Sequence, residues 1–409
     1  MISLSLNKKI IIFGFIFTFF SSFGQSFFLG IFNPNVRNEL NITNGQFGTI
    51  YAGATICSSL VLVWFGKKID EFKLFNYSII VISLLVFSSF FFSIISNIYL
   101  LAVGIFLMRF SGQGLMSHTS TTAISRYFDK RRGKALSTIW FGLSTAEFIL
   151  PILVVFLLSL FSWRSVWQLI SIMALILLPI VIYFTIKEIT FDTRETNSNR
   201  SNFKKLEEII QWKRKDVLKD FKFYVISLNM LAMPWIITGV FVYQTFISES
   251  KNWDIYTIPK SFMIYSVTSI FTLITSGFLV DKYSSRKLLP IINLPLLVGL
   301  IFLYFLNDKV FSFIFFGLVG VSNGLANVLG SSTWAEIYGV RYIGSIKALT
   351  TALMVFSTAF GTAFFGILID KSFSIETIFM ICIFYILISL SFLLIVRGKI
   401  EPVLKLKKA

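Results

Sequence analysis

Arg109 and Glu147 stand in stretches of sequence that are otherwise almost wholly apolar. An arginine at the centre of a bilayer costs about 2.5–3.5 kcal/mol on insertion scales, so Arg109 needs a partner or an anionic ligand. A carboxylate in such surroundings can take up and release a proton near neutral pH. Two polar stripes also recur at helical spacing. Arg109, Gln113 and Ser117 follow one another every four residues, as do Asn323, Asn327 and Ser331, so each set shares an α-helical face. Lipid satisfies none of these groups, and both stripes must face protein or water. Two kinds of chemistry fit: holding a small, negatively charged molecule, and moving a proton. Each has a plainer counterpart. The stripes can make helix–helix hydrogen bonds, backbone carbonyls can satisfy Arg109, and Arg109 can form a static ion pair with Glu147. His118, the one histidine, is either a second proton carrier or a structural residue near a helix end. No His/Asp/Glu cluster, Ser–His arrangement or glycine-rich phosphate loop occurs, which argues against an enzyme and against a metal or organic cofactor.

Helices that cross a membrane must position these groups. Only 14% of the 409 residues are charged and 56% are hydrophobic, with 48 Phe and mean hydropathy +0.79; soluble domains carry about 25% charged residues. Apolar runs of roughly 18 or more residues read as membrane-spanning helices. Twelve occur, at 10–33, 45–65, 74–94, 97–121, 135–160, 166–186, 223–247, 258–280, 288–306, 309–333, 346–369 and 375–396. The first is too long for a cleaved signal peptide and lacks a small-x-small site, so it reads as a span. Cys57 and Cys382 both fall inside runs, against a disulfide. Trp163, Trp167 and Trp253 read as interface anchors. The net charge of +17 reports orientation rather than a nucleic-acid site. With the N-terminus inside, thirty of the 37 Lys and Arg fall on the cytoplasmic side and six outside. Both termini are then cytoplasmic, in a multi-pass protein of the cell membrane.

The chain also repeats itself. KALSTIWFGLSTAEF (134–148) matches KALTTALMVFSTAFG (347–361) at an offset of 213, but Glu147 faces Phe360 in the alignment. Gly112-Gln113-Gly114-Leu115 matches Ser322-Asn323-Gly324-Leu325 at 210, and Gly66-x-x-x-Asp70 matches Gly277-x-x-x-Asp281 at 211. The repeat divides the chain into halves at 1–187 and 222–396, with a polar cytoplasmic linker at 188–221 and a tail at 397–409. Two parallel repeats of this kind form a transporter plan. Loss of the repeat at Glu147 suggests that this carboxylate serves coupling rather than shape. It stands about 20 Å into its helix, at roughly 1.5 Å per residue, near the bilayer middle.

Over essentially its whole length the sequence resembles the major facilitator superfamily, carried by WFGKKIDEFKLF (64–75) and its counterpart SGFLVDKYSSRKLL (276–289). The resemblance implies an all-α integral membrane fold, with twelve transmembrane helices in two pseudo-symmetric six-helix bundles. It also implies cytoplasmic gates at Gly66, Asp70 and Lys73 and at Gly277, Asp281 and Arg286. Asp70 is expected to face the start of span 11 near Gly344 and Ser345, and Asp281 the start of span 5 near Gly133. Glu336 is expected to pair with Arg286 or Arg341. A third such motif, Gly366-x-x-x-Asp370, falls on the outer face and reads as a helix stop. In this family the first and fourth helices of each half line the central cavity. That adds Gln25, Trp235 and Thr238 to Arg109, Gln113, Ser117, Asn323 and Asn327 as expected substrate contacts. Arg109, Gly112 and Gly114 come close to an Arg-x-x-x-Gly-x-Gly pattern found in the family. RYFDKRRGKALSTIWFG (126–142) resembles a helix junction of monocarboxylate and oxalate–formate carriers.

The expected function is secondary active transport of a small solute by alternating access. A proton-coupled carrier of a small organic anion fits Arg109, with Glu147 and His118 as proton carriers. The alternative is a proton-driven antiporter that exports hydrophobic or cationic compounds; a polytopic enzyme or sensor is a further one. The expected partners are the substrate, the proton and the bilayer, with no nucleic acid, and the expected state is a monomer.

Overall fold

The computed structural model describes residues 6–128, 132–187, 211–339 and 342–401. Most of the expected linker and all of the tail beyond Glu401 lie outside the described residues, as do Arg341 and the side chains of Asp70, Asp281 and Ser331. Every regular element among the described residues is helical. Twelve spans are long and apolar enough to cross a bilayer: Asn7–Ile31, Asn44–Ile69, Leu74–Ser93, Ile98–Tyr127, Ala135–Leu160, Trp163–Ile186, Phe221–Val242, Thr257–Val280, Ser285–Phe305, Val310–Tyr338, Ile346–Asp370 and Ile375–Lys399. We number them spans 1 to 12. Both described chain ends lie on one face, here termed the terminal face; the opposite face is the distal one.

The chain enters several even-numbered spans through polar caps at the distal face. Thr43 and Gln46 form a capping box for span 2, Asn97 accepts from the Tyr99 and Leu100 amides, and Ser162 and Ser374 cap spans 6 and 12. Such caps satisfy the first amides of a helix just where it leaves water. Pro151 and Pro179 sit inside spans 5 and 6, where neighbouring helices tolerate the missing donor.

Spans 1, 4, 5 and 6 pack together, as do 3 with 4 and 6, and 2 with 4. In the second half, span 7 packs on 11 and 12, 8 on 10, and 9 on 10 and 12. The halves meet through spans 2 and 11, spans 5 and 8, and spans 1 and 7. The first two seams exchange under the 210-residue repeat, so one pseudo-two-fold relates them. The result is two pseudo-symmetric six-helix bundles in an all-α membrane protein, as the repeat implies.

Each half is stapled at its distal face by an ion pair. Arg164 donates from Nε and Nη2 to Glu39, at 2.9 and 2.6 Å, and from its other amino group to the Ser93 carbonyl at 2.6 Å. Trp163 Nε1 donates to the second Glu39 oxygen at 2.6 Å. In the second half, Lys251 pairs with Glu376 at 2.8 Å and donates to Asn307, while Trp253 Nε1 donates to the Asn307 carbonyl. The device is repeated with its charges interchanged. Trp163 and Trp253 therefore serve these staples. Trp167 departs from its expected interfacial place: it is fully buried against Phe28, Phe32 and Phe92, because its ring lies one turn deeper than Trp163.

Burial is the largest single influence on the Glu39 carboxyl and raises it. The hydrogen bonds from Arg164 and Trp163, with the Arg164 charge, outweigh this and hold it below its ordinary value. A carboxyl lowered in the folded state contributes stability above its unfolded pKa of about 4.3 and loses it as pH falls through the folded value. The native protein is therefore expected to melt above Glu39→Gln at neutral pH, with the difference shrinking below about pH 4. Melting curves of both proteins across pH check this; a gap independent of pH would refute the ion-pair account.

Candidate functional site

Span 1 breaks in its second half. Its α-helix ends at Ser21, a 3-10 turn covers Ser22–Gly24, Gln25 is extended (φ −82, ψ 154), and the helix resumes at Ser26–Ile31. Span 4 departs from α geometry beside it: residues Arg109–Met116 form a π-helix. The two irregularities cross at Gly24 and Gly112. A Cβ on Gly24 would overlap the Met108 carbonyl and the Gln113 amide, and one on Gly112 would overlap Gly24. Only glycines permit backbones this close.

The break frees carbonyl groups, and Arg109 takes one of them. It donates to the Gly24 carbonyl at 3.2 Å and to Ser26 Oγ at 3.3 Å. Its guanidinium lies 5.3 Å from the centroid of the Tyr51 ring on span 2, a cation–π contact. Arg109 is 3% exposed, forms no ion pair among the described residues, and keeps Nε without a partner. The i→i+5 turn does not preserve the four-residue spacing that would align Arg109, Gln113 and Ser117. Gln113 is half-buried, and the Ser117 hydroxyl is buried without a partner.

Glu147 sits midway along span 5, where that span meets span 8. It is 8% exposed and makes neither ion pair nor hydrogen bond among the described residues. Its electrostatic neighbour is Tyr265 on span 8. Tyr265 belongs to an aromatic group with Phe241 and Phe262; Phe262 also packs on Phe27 and Phe316. This group brings together spans 1, 7, 8 and 10. Arg109 is thus buried inside the first half and Glu147 where spans 5 and 8 meet, and the static pair between them is not formed.

The other expected substrate contacts are dispersed. Asn323 donates to Ser269 Oγ on span 8 at 2.8 Å, and Asn327 donates to the Asn323 carbonyl at 3.0 Å. Trp235 is buried against Phe360, Phe364 and Tyr385 of spans 11 and 12. Thr238 is buried and Gln25 half-buried at the break. His118 Nε2 donates to the Gly66 carbonyl at 3.1 Å, tying span 4 to the end of span 2. Lys73 stands at the N-cap of span 3. Glu336 accepts from Ser284 Oγ, from the Ser285 amide and hydroxyl, and from Arg286 at 3.1 Å. A Cβ at Gly277 would meet nothing within 4 Å, and one at Gly66 would first meet His118 of its own half. Neither gate glycine is pressed against the opposite half in this conformation.

At the distal face the halves are locked. Asp370, read from sequence as part of a helix stop, instead accepts from the Asn44 and Gly45 amides, at 3.0 and 2.8 Å. These are first-turn amides of span 2, so a carboxylate from one half caps the positive end of a helix in the other. Tyr243 donates to the Asn44 carbonyl at 2.8 Å, Asn33 to the Val242 carbonyl at 2.8 Å, and Gln244 to the Phe27 carbonyl at 2.8 Å. Gly366 and Gly48 let these backbones meet: a Cβ on Gly366 would overlap Tyr243 Oη and the Asn44 carbonyl. Tyr51, Tyr243, Gln244 and Tyr265 were not singled out in the sequence. Tyr51 carried a signal, since Tyr51, Thr55 and Ser59 recur every four residues on span 2.

Two six-helix bundles locked at one face, with isolated charges buried at membrane depth, define a membrane transport protein. The family profile of the Major Facilitator Superfamily matches residues 14–362 and, in a second alignment, 225–408. The chain belongs to that superfamily and is a transporter of a small solute, not an enzyme. Its fold is similar to that of a bacterial homologue of the human lysosomal transporter Spinster, solved inward-facing and unoccupied (TM-score 0.75, 11% identity, 97% of this chain and 98% of that one). It is also similar to the nucleoside transporter NupG (TM-score 0.71, 12% identity, 96% and 99%). No curated protein matches the chain in sequence.

The distal lock predicts that Gly366→Val, which places a side chain against the Asn44 carbonyl, shifts the protein towards a distally open form. Spin labels at Asn41 and Ser372, with Cys57 and Cys382 replaced, should show a longer distance population than the native background. An unchanged distribution would show that this contact does not hold the halves together.

Proposed function

We propose that the chain is a proton-coupled transporter of small organic anions in the cell membrane. One observation carries the reading: Arg109 and Glu147 are both buried, and neither has a partner of opposite charge among the described residues. A buried guanidinium without a carboxylate calls for an anion, and a buried carboxylate without a cation calls for a proton. Gln113 and Asn323 then orient the anion beside Arg109. His118, tied to Gly66, is the second candidate for the proton.

The Lys and Arg bias places the terminal face, with both termini, in the cytoplasm. The conformation is then inward-facing, and the Asp370 lock is its outer gate. Residues 1–187 and 222–396 are the bodies that rock about the site. When they close the inner face, Asp70 and Asp281 meet the helix starts of spans 11 and 5 from Gly66 and Gly277, supported by Lys73 and the Arg286–Glu336 pair. A monomer suffices for this cycle. The second reading, proton-driven export of hydrophobic cations, is favoured by the aromatic group around Tyr265 next to an unpaired Glu147.

A thermal-shift screen against short carboxylates and against lipophilic cations separates the two readings. Carboxylates are expected to stabilise the native protein, Arg109→Lys weakly, since it keeps the charge but loses the planar fork, and Arg109→Ala hardly at all. Stabilisation by cations alone would select the second reading. In proteoliposomes, Glu147→Gln is expected to lose proton-driven accumulation while retaining exchange of labelled for unlabelled substrate. Accumulation at the native rate would place coupling elsewhere.

A further inference from the structure

Arg109 and the Tyr51 side chain beside it hold donors that lack well-placed acceptors. The guanidinium carries five N–H groups and finds two acceptors, Gly24 O and Ser26 Oγ. The Tyr51 hydroxyl lies near enough to act on the guanidinium that its ring covers, but neither it, nor Arg109 Nε, nor the Thr55 hydroxyl has a hydrogen bond of good geometry. Tyr51 is 1% exposed and Thr55 3% exposed, and they lie one turn apart on the same face of span 2. Buried donors without acceptors are costly to a fold, and those of Arg109 and Tyr51, with Thr55 one turn along span 2, make an acceptor deficit. An oxyanion corrects it; a cation or an apolar compound does not.

Span 2 also explains how an anion reaches a group so enclosed. Its helix runs without interruption from Asn44 to Phe65. The first turn is held by Asp370 and Tyr243 of the opposite half, and Tyr51 follows two turns later. The distal lock and the cover over Arg109 therefore sit on one continuous helix.

We propose that Tyr51 and Thr55 complete the anion site begun by Arg109. In the present conformation Tyr51 covers the guanidinium. When the distal face opens, Tyr51 moves off it, and its hydroxyl and that of Thr55 donate to a carboxylate held by Arg109. One positive charge and a compact set of donors suit a monocarboxylate group rather than a dianion. This inference rests on Arg109 being the anion contact.

The test uses the whole protein in detergent with acetate, lactate and benzoate as probes, measured by thermal shift and by calorimetry. Tyr51→Phe keeps the ring over Arg109 and removes only the hydroxyl; Thr55→Val removes the other hydroxyl at nearly equal volume. Each is expected to melt, without ligand, at or above the native temperature, because an unpaired buried group has been removed. Each is also expected to raise the Kd of the tightest carboxylate about tenfold, as loss of a hydrogen bond to a charged group does. Native affinity in both variants, with binding lost in Arg109→Ala, would overturn this inference and leave the Arg109 reading standing. Native affinity in Arg109→Ala, or no carboxylate binding to the native protein, would overturn both.

Discussion

The rest of the structure depends on how a guanidinium is kept inside a low-dielectric helix bundle. Arg109 has no carboxylate to neutralise it, so it must be solvated by dipoles. Span 1 supplies them by giving up helical hydrogen bonds at Ser22–Gln25, which leaves the Gly24 carbonyl and Ser26 hydroxyl facing the charge. The break is possible only because span 4 lies against it with Gly112 in place of a side chain. The π-turn from Arg109 to Met116 widens span 4 at the same level. Charge, break, glycine pair and π-turn form one unit, and irregular backbone at membrane depth is tolerated where protein encloses it.

This unit meets the seam between the halves through span 2. The helix presents Tyr51 to Arg109 and its first-turn amides to Asp370. Amides at a helix start point along the axis and are satisfied by a carboxylate at their end only while the two helices remain apposed. Such a bond is specific in geometry yet modest in energy, and it lies at a surface that water can reach. It can therefore hold one conformation without making it permanent. A larger apolar seal at that face would bind the halves too tightly to part.

Much of the fold was legible in the sequence, because a bilayer makes hydropathy a near-direct record of helix position. The repeat divided the chain into its two halves, and the isolated charges at Arg109 and Glu147 stood out against their apolar surroundings. Less legible was the direction in which side chains point. The i, i+4 rule failed through Arg109–Met116 because a π-turn is set by tertiary crowding, here at Gly24, some 85 residues away along the chain. Trp235 shares its repeat position with Gln25, yet its ring packs into its own bundle. Asp370 was undervalued for a different reason. A carboxylate after a glycine at a helix end looks the same whether it ends its own helix or caps another, and only the partner, 326 residues away, distinguishes the two.

The asymmetry between Glu147 and Phe360 follows from the same geometry. The matched segments put both residues midway along helices that border the opposite half. Phe360 stacks on Phe364 and Trp235 in its own half and is half exposed. Glu147 is buried where spans 5 and 8 meet, beside Tyr265. Glu147 thus stays apart from Arg109, and neither has a partner of opposite charge among the described residues. On the reading proposed above, the free energy of each depends on a mobile species, a proton between spans 5 and 8 and an anion at Arg109. Two sites that share the same moving halves but not the same contacts are the arrangement through which one equilibrium can bias the other.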